Sequence, residues 1–143
     1  MSRRRDEEGT VLLLTIGMSV VLLLLVAVVV DVSSVVLAKR ALSNAADGAA
    51  VAAAQQADRS ALNADGLGER LPLDPDRVNA VVNSYESDER AAQRGLDLQG
   101  RVQGGTEAVV DAYRTVQLPF VGWLGVASVR LHAVGRARSP VVP

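Results

Sequence analysis

Residues 11–30 read VLLLTIGMSVVLLLLVAVVV, and this apolar run decides how the chain is organised. Its only interruptions are Thr15, Gly17 and Ser19, which are small enough for a membrane helix. At about 1.5 Å of rise per residue, a run of this length spans the hydrocarbon core of a bilayer, which is about 30 Å thick. Because backbone groups in lipid must satisfy their own hydrogen bonds, the run predicts a transmembrane helix.

A cleavable signal peptide fits the run less well than a permanent anchor does. Signal peptides have an apolar region of about 7–15 residues with a small-residue cleavage site directly after it. The nearest such site ends at Ala38, well beyond the run, and no second apolar stretch of similar length follows. The sequence therefore predicts a single-pass protein, with residues 1–10 as a leader, 11–38 as the transmembrane helix and 39–143 as one extracytoplasmic domain.

The charged residues flanking the run predict its orientation. Arg3, Arg4 and Arg5 precede the run, whereas Lys39 and Arg40 follow it at some distance. Lys and Arg near the ends of a span favour the cytoplasmic side. We therefore expect a helix surrounded by lipid of the cytoplasmic membrane, with the N-terminus inside and the C-terminal domain outside.

One ionisable residue, Asp31, lies within the apolar sequence. A carboxylate at the centre of a bilayer is costly, but at the end of a span it reaches the headgroup layer and costs little. Asp31 is therefore interpreted either as a marker of the membrane boundary or as a buried partner for a charge on a neighbouring subunit.

Composition argues against several classes of function. The chain has no cysteine, which rules out disulfides, thiol catalysis and Cys-based zinc sites. From Lys39 onward it carries twelve basic and twelve acidic residues, without the basic cluster of a nucleic-acid-binding face. The sole histidine, His132, falls on the polar face of a predicted strand, and no catalytic or phosphate-binding motif occurs. We predict no enzyme, no cofactor, no metal site and no nucleic-acid partner.

An alanine-rich segment, ALSNAADGAAVAAAQ, occupies residues 41–55. Alanine is the best helix former, and no proline occurs before Pro72, so the membrane helix is expected to continue to about Gln56. Ala45, Ala49 and Ala53 form a ladder of small residues that lets another backbone approach closely. This alanine stripe has two open interpretations: it packs on the protein's own sheet, or it packs between subunits.

The remainder predicts an α+β domain that covers this helix. Residues 59–71 are interpreted as a loop, and Asp74-Pro75 as the start of a short helix whose polar tail begins at Glu86. From Leu96 the period changes to two, and Gly104-Gly105 marks a hairpin.

The strands predicted from this period run over residues 96–103, 106–118 and 126–138, as a three-stranded antiparallel meander with one apolar face. Between the last two strands lies PFVGWLG, residues 119–125. This apolar loop either folds over the edge of the core or contacts the outer leaflet or a partner.

Together these features resemble the TadE/TadG-like family of Flp, or tight-adherence, pilus systems. The matching residues are RDEEGTV at 5–11, Asp31-Val32, and the alanine segment with Asn44, Ala46 and Asp47. The resemblance implies a pilin-like membrane protein that contacts other pilus-assembly or secretion subunits and forms homo- or hetero-oligomers.

Processing by a prepilin peptidase is a further implication of the resemblance. Such enzymes cut after a glycine, for which Gly9 is the candidate here. The fifth residue after it is Leu14, whereas pilin-like proteins carry a glutamate there that helps docking into the filament. The sequence departs from the pattern at this point.

Two functions follow from these expectations. The first is a non-enzymatic, membrane-anchored component of a Flp/Tad-type pilus or related secretion apparatus that acts by helix-mediated subunit packing. The alternative is a membrane-tethered module that binds an extracytoplasmic ligand or the cell wall. The residues expected to mediate packing are Ala45, Ala46, Asp47, Ala49 and Ala53.

Overall fold

A computed structural model describes the chain over most of its length. The described residues are 3–65, 73–89, 93–120, 122, 125 and 128–138. The elements, in chain order, are α1 (Arg3–Asp65), α2 (Pro75–Glu89), β1 (Leu96–Gln103), β2 (Glu107–Gln117) and β3 (Ser128–Arg138). This is the predicted α+β combination of one long helix, one short helix and a three-stranded antiparallel sheet.

Helix α1 runs for 63 residues without a break, which is about 95 Å at the helical rise. The predicted continuation of the apolar helix past Lys39 is confirmed. The predicted end near Gln56 is wrong, and residues 59–65 are helical rather than loop. The reason is that no glycine or proline interrupts the chain there before Gly66, so helix propagation is not opposed. Residues 66–72 of the predicted loop lie outside the described residues.

Helix α2 begins as predicted at Pro75, after an Asp74 N-cap. The backbone N–H of Asp76 donates to the Asp74 carboxylate at 3.0 Å, which satisfies one of the free donors of the first turn. Val78 and Val82 lie one turn apart and are buried, so they form the face that α2 turns toward the sheet.

The sheet has the order β1-β2-β3, and both pairs are antiparallel. The turn between β1 and β2 contains Gly104 and Gly105, whose φ angles of 61° and 76° lie in the region that glycine favours. Gln103 pairs with Glu107 beside this turn, and Glu107 pairs with Arg138 on the other side. The predicted meander is confirmed, with β2 one residue shorter at each end than predicted. Residues 126 and 127 of the predicted third strand, and residues 121, 123 and 124 of the predicted apolar loop, lie outside the described residues.

Both helices pack on one face of the sheet, α1 over β2 and β3 and α2 over β1. The sheet approaches α1 very closely because Gly135 on β3 has no side chain: a Cβ there would overlap the Ala46 carbonyl. Among the described side chains of α1, the buried apolar ones in this core are Leu42, Ala45, Ala46, Ala49, Ala50, Ala53 and Ala54. Small side chains thus replace the large ones that a core of this size usually contains.

Candidate functional site

The N-terminal part of α1 carries the surface on which a membrane function depends. Among the described residues, one helical stretch, Gly9–Gln55, is long and apolar enough to cross a membrane, with a mean hydropathy of 3.0 in its most apolar part. Side chains from residue 9 to residue 26 are exposed, and Leu13 is 73% exposed. Large aliphatic side chains exposed along several turns are those that a lipid bilayer would cover.

The alanine stripe lies against the protein's own sheet. Ala45, Ala49 and Ala53 are 3%, 0% and 1% exposed, and Ala46 is fully buried. Of the two interpretations that the sequence left open, the structure therefore has the stripe packed within the chain. Asp47, which the sequence grouped with these alanines, is exposed instead. The alanines are out of reach of another subunit while the sheet is in place.

On the C-terminal side of the apolar run, a different face of α1 is exposed and can contact another subunit. Arg40, Asn44, Asp47 and Val51 are exposed and recur every three or four residues, so they form one strip along the helix. We call this strip the outer face of α1. Sequence reasoning did not separate it from the alanine stripe, although the same helical spacing distinguishes the two.

Asp31 lies in α1 between the exposed apolar run and the residues that pack on the sheet, and it is only 3% exposed. Its Oδ1 accepts a hydrogen bond from the backbone N–H of Phe120 at 3.3 Å, across 89 residues of sequence. The buried carboxylate is therefore bonded to the backbone of Phe120, three residues after the end of β2. Neither sequence interpretation included this contact within the chain.

Further along α1, Lys39 joins the helix to the edge of the sheet. Its Nζ donates to the backbone carbonyl of His132 on β3, while the neighbouring Arg40 points away and belongs to the outer face. Helix α1 is thus fastened to β3 by a charged hydrogen bond as well as by apolar packing.

At the other end of α1, the remaining sequence-predicted residues lie in its first turns. Arg3, Arg4 and Arg5 are helical, and their side chains lie outside the described residues. Gly9 is exposed, with no atom within 4 Å of the position that a Cβ would take.

A polar cluster occupies the face of the sheet opposite the helices. The Asp111 carboxylate, which is largely buried, forms an ion pair with Arg101 and lies 3.1 Å from His132 Nε2. The His132 ring stacks on Tyr113 with centroids 4.7 Å apart, and the Arg130 guanidinium lies over Tyr113, 5.2 Å from its centre. The predicted outward direction of His132 is confirmed.

The contacts within this cluster were not predicted. Tyr113 and His132 are paired across β2 and β3, so the register would have indicated their contact once it was known. The cluster residues engage one another, which indicates a role in covering the sheet. In the part of the chain that the structure describes, no group of three or more metal-ligating side chains occurs.

The burial of the charged residue Glu86 was not predicted either, since the sequence placed it in a polar helix tail. It is 6% exposed, and its Oε2 accepts the backbone N–H of Leu98 on β1 at 3.2 Å. Its spacing of four and eight residues from Val82 and Val78 was the available signal. Glu86 thereby binds the free edge of β1.

Comparison with protein families found a match for most of α1. Residues 9–56 match the family model described as "Putative Flp pilus-assembly TadE/G-like". The match covers about a third of the chain and contains the apolar run, Asp31, the alanine stripe and the outer face of α1. The predicted resemblance to the TadE/TadG-like family is thereby confirmed for this segment. Comparison with curated proteins and with solved structures found no match.

Proposed function

We propose that this protein is a non-enzymatic, membrane-anchored component of a Flp/Tad-type pilus or related secretion apparatus. The observation that carries the proposal is the family match over residues 9–56, which coincides with the exposed apolar part of α1 and its extension into the domain. The N-terminus lies in the cytoplasm and the domain outside the cytoplasmic membrane, in accordance with the arginines that precede the span.

Subunit packing occurs through the outer face of α1. The alanines that the sequence favoured for this role are buried in the protein's own core. Within the matched segment, the outer face presents a cation, an amide, a carboxylate and the half-exposed Val51 to its surroundings. Mixed polar and apolar composition of this kind suits a contact that forms between subunits that are already folded.

Photocrosslinking in native membranes tests this function. A photoreactive amino acid is placed at Asn44, Asp47 or Val51 on the outer face. The matched control places it at Gln99, an exposed residue on the opposite face of the sheet. Each variant is first checked for normal abundance in the membrane fraction.

We expect outer-face positions to crosslink to other pilus-assembly or secretion subunits, or to a second copy of this chain, and the control position to yield far less product. Equal products from both faces would refute packing through α1. Crosslinks to cell-wall material in place of protein would favour the alternative, a membrane-tethered ligand- or cell-wall-binding module, over the pilus role.

A further inference from the structure

The apolar surface of α1 extends past the point where a bilayer's hydrocarbon core would end. The exposed valines and leucines continue beyond Asp31 to Val32, Val36 and Leu37, which are 57%, 46% and 65% exposed. From residue 11 to residue 38 the helix measures about 42 Å, against about 30 Å for the hydrocarbon core and about 40–45 Å with the headgroups. With residues 11–30 in the hydrocarbon core, Asp31 and the next three or four residues pass through the headgroup layer on the domain's side, which is about 5–7 Å thick.

The connection after β2 reaches α1 at the start of this layer. Phe120 donates its backbone N–H to Asp31, which lies twenty residues, or about 30 Å, along the helix from Val11. The Phe120 side chain is nevertheless 51% exposed. A large apolar ring is thus held at the depth where hydrocarbon meets headgroups, beside a helix that is itself apolar and exposed there.

The burial of Asp31 fits this depth. A carboxylate facing acyl chains would lose its hydration without compensation. Here the chain covers it, and a backbone N–H supplies a charge-assisted hydrogen bond. Asp31 can therefore lie at the boundary of the hydrocarbon because it is buried within the chain and bonded to the Phe120 backbone.

We propose that Phe120 inserts into the membrane interface and that Asp31 tethers it there, so that the domain contacts the lipid at a second point besides α1. Lipid is the occupant because the exposed ring continues the apolar surface of the spanning helix at the same depth. Transfer of a phenyl ring from water to an apolar medium is favourable, which adds to the anchoring by α1. The proposal rests on the proposed function for the existence of the membrane span.

Depth-dependent quenching of a fluorescent label tests the insertion. The chain has no cysteine, so a single one can be introduced and labelled with an environment-sensitive dye. The variants are Phe120→Cys, Leu23→Cys within the span and Val51→Cys on the outer face of α1. The full-length protein is reconstituted alone in vesicles of phosphatidylcholine and phosphatidylglycerol that contain lipids brominated at shallow or deep acyl positions.

We expect the label at position 120 to be quenched severalfold more than the label at 51, and more by shallow than by deep bromines. The label at 23 should be quenched best by deep bromines. Quenching at 23 but not at 120 would overturn the insertion of Phe120 and leave the membrane span intact. Absence of quenching at 23 would overturn the span and the proposed function with it. A blue-shifted but unquenched label at 120 would indicate a protein contact and would also overturn insertion.

The tether is tested by combining the label at 120 with substitutions of Asp31. Asp31→Ala removes the acceptor, and we expect quenching at 120 to fall markedly. Asp31→Asn retains an oxygen acceptor and should preserve most of it. Circular dichroism of both variants verifies that α1 and the sheet are formed. Quenching at 120 that stays unchanged in Asp31→Ala would overturn the role assigned to Asp31.

Discussion

Gly135 of β3 lies directly against the backbone of Ala46 in α1. A Cβ at position 135 would overlap the Ala46 carbonyl carbon and oxygen and would lie 2.6 Å from the amide nitrogen of Asp47. The obstacle is helix backbone, which cannot rotate away as a side chain can. The close packing of α1 on the sheet therefore depends on the absence of a side chain at position 135.

Substitution of this glycine should loosen the domain. We expect Gly135→Ala to lower the free energy of unfolding by about 1–3 kcal/mol or more, because α1 must move away from β3. The measurement is urea unfolding in detergent micelles, followed by circular dichroism of the sheet. Gly17→Ala is the control, since nothing lies within 4 Å of that Cβ position, and it should leave unfolding of the domain unchanged. Equal stability of the Gly135 variant and wild type would contradict the close packing.

Gly48 and Tyr85 form a second close contact, between α1 and α2, in which the obstacle is the end of a side chain and not the backbone. A Cβ at position 48 would overlap the Tyr85 hydroxyl and lie 3.0 Å from the ring carbon that bears it. We expect Gly48→Ala to destabilise the domain less than Gly135→Ala, because the Tyr85 ring can shift, and Tyr85→Phe to relieve part of the loss because it removes the overlapping oxygen. A double-mutant cycle measures the coupling, which for residues in contact is about 0.5–3 kcal/mol. Strictly additive effects would show that the two residues do not meet.

Glu86 should matter more than its position in a charged segment suggests. Glu86→Ala leaves the Leu98 N–H at the edge of β1 without its acceptor, and we expect a loss of about 1–3 kcal/mol in the free energy of unfolding. Asp88→Ala, on the same helix but exposed, is the matched control and should change stability little. Hydrogen exchange at Leu98 provides a local readout, since its protection should fall in the Glu86 variant alone.

Alkaline pH should destabilise the domain through Tyr85. Burial, and secondarily the nearby Glu89 carboxylate, raise the pKa of Tyr85 above its ordinary value. As pH rises past about 10, the Tyr85 phenol ionises in the unfolded chain before it ionises in the folded domain. The contribution of Tyr85 to the free energy of unfolding is therefore fully present below about pH 10 and is lost as the pH rises to the folded-state pKa.

Unfolding measured on both sides of this pH range provides the check. The alkaline loss should be smaller in Tyr85→Phe than in wild type, whereas Tyr113→Phe should retain it. An identical pH dependence in wild type and Tyr85→Phe would contradict the assignment.

The elements of this fold were predictable because each has a local signal. The apolar run determines a helix, Asp74-Pro75 determines the start of a helix, and Gly104-Gly105 determines a hairpin. Each of these signals involves only residues that are close in the sequence. The predicted end of α1 was too early, because charged residues after Gln56 were interpreted as a loop although none of them breaks a helix.

Contacts between distant residues were beyond sequence reasoning. The hydrogen bond between Asp31 and Phe120 joins residues whose separation in the chain carries no periodic signal. The choice between the two interpretations of the alanine stripe likewise required the position of the sheet. The burial of Glu86, in contrast, could have been predicted, because its helical spacing from Val78 and Val82 placed it on the buried face. Its charge led to the wrong interpretation as part of an exposed tail.

Cysteine accessibility along α1 tests the central claim most directly, because the natural chain contains no cysteine. Single cysteines are introduced along the helix in cells that lack the rest of the apparatus and are exposed to a membrane-impermeant maleimide. We predict no labelling within residues 11–30, external labelling at Asn44, Asp47 and Val51, and protection at Ala45 and Ala49. Labelling at Ala45 and Ala49 equal to that at Asn44 and Asp47 would contradict the burial of the alanines beneath the sheet. Labelling at Asp47 only after cell lysis would contradict a helix that leaves the membrane on the outer side.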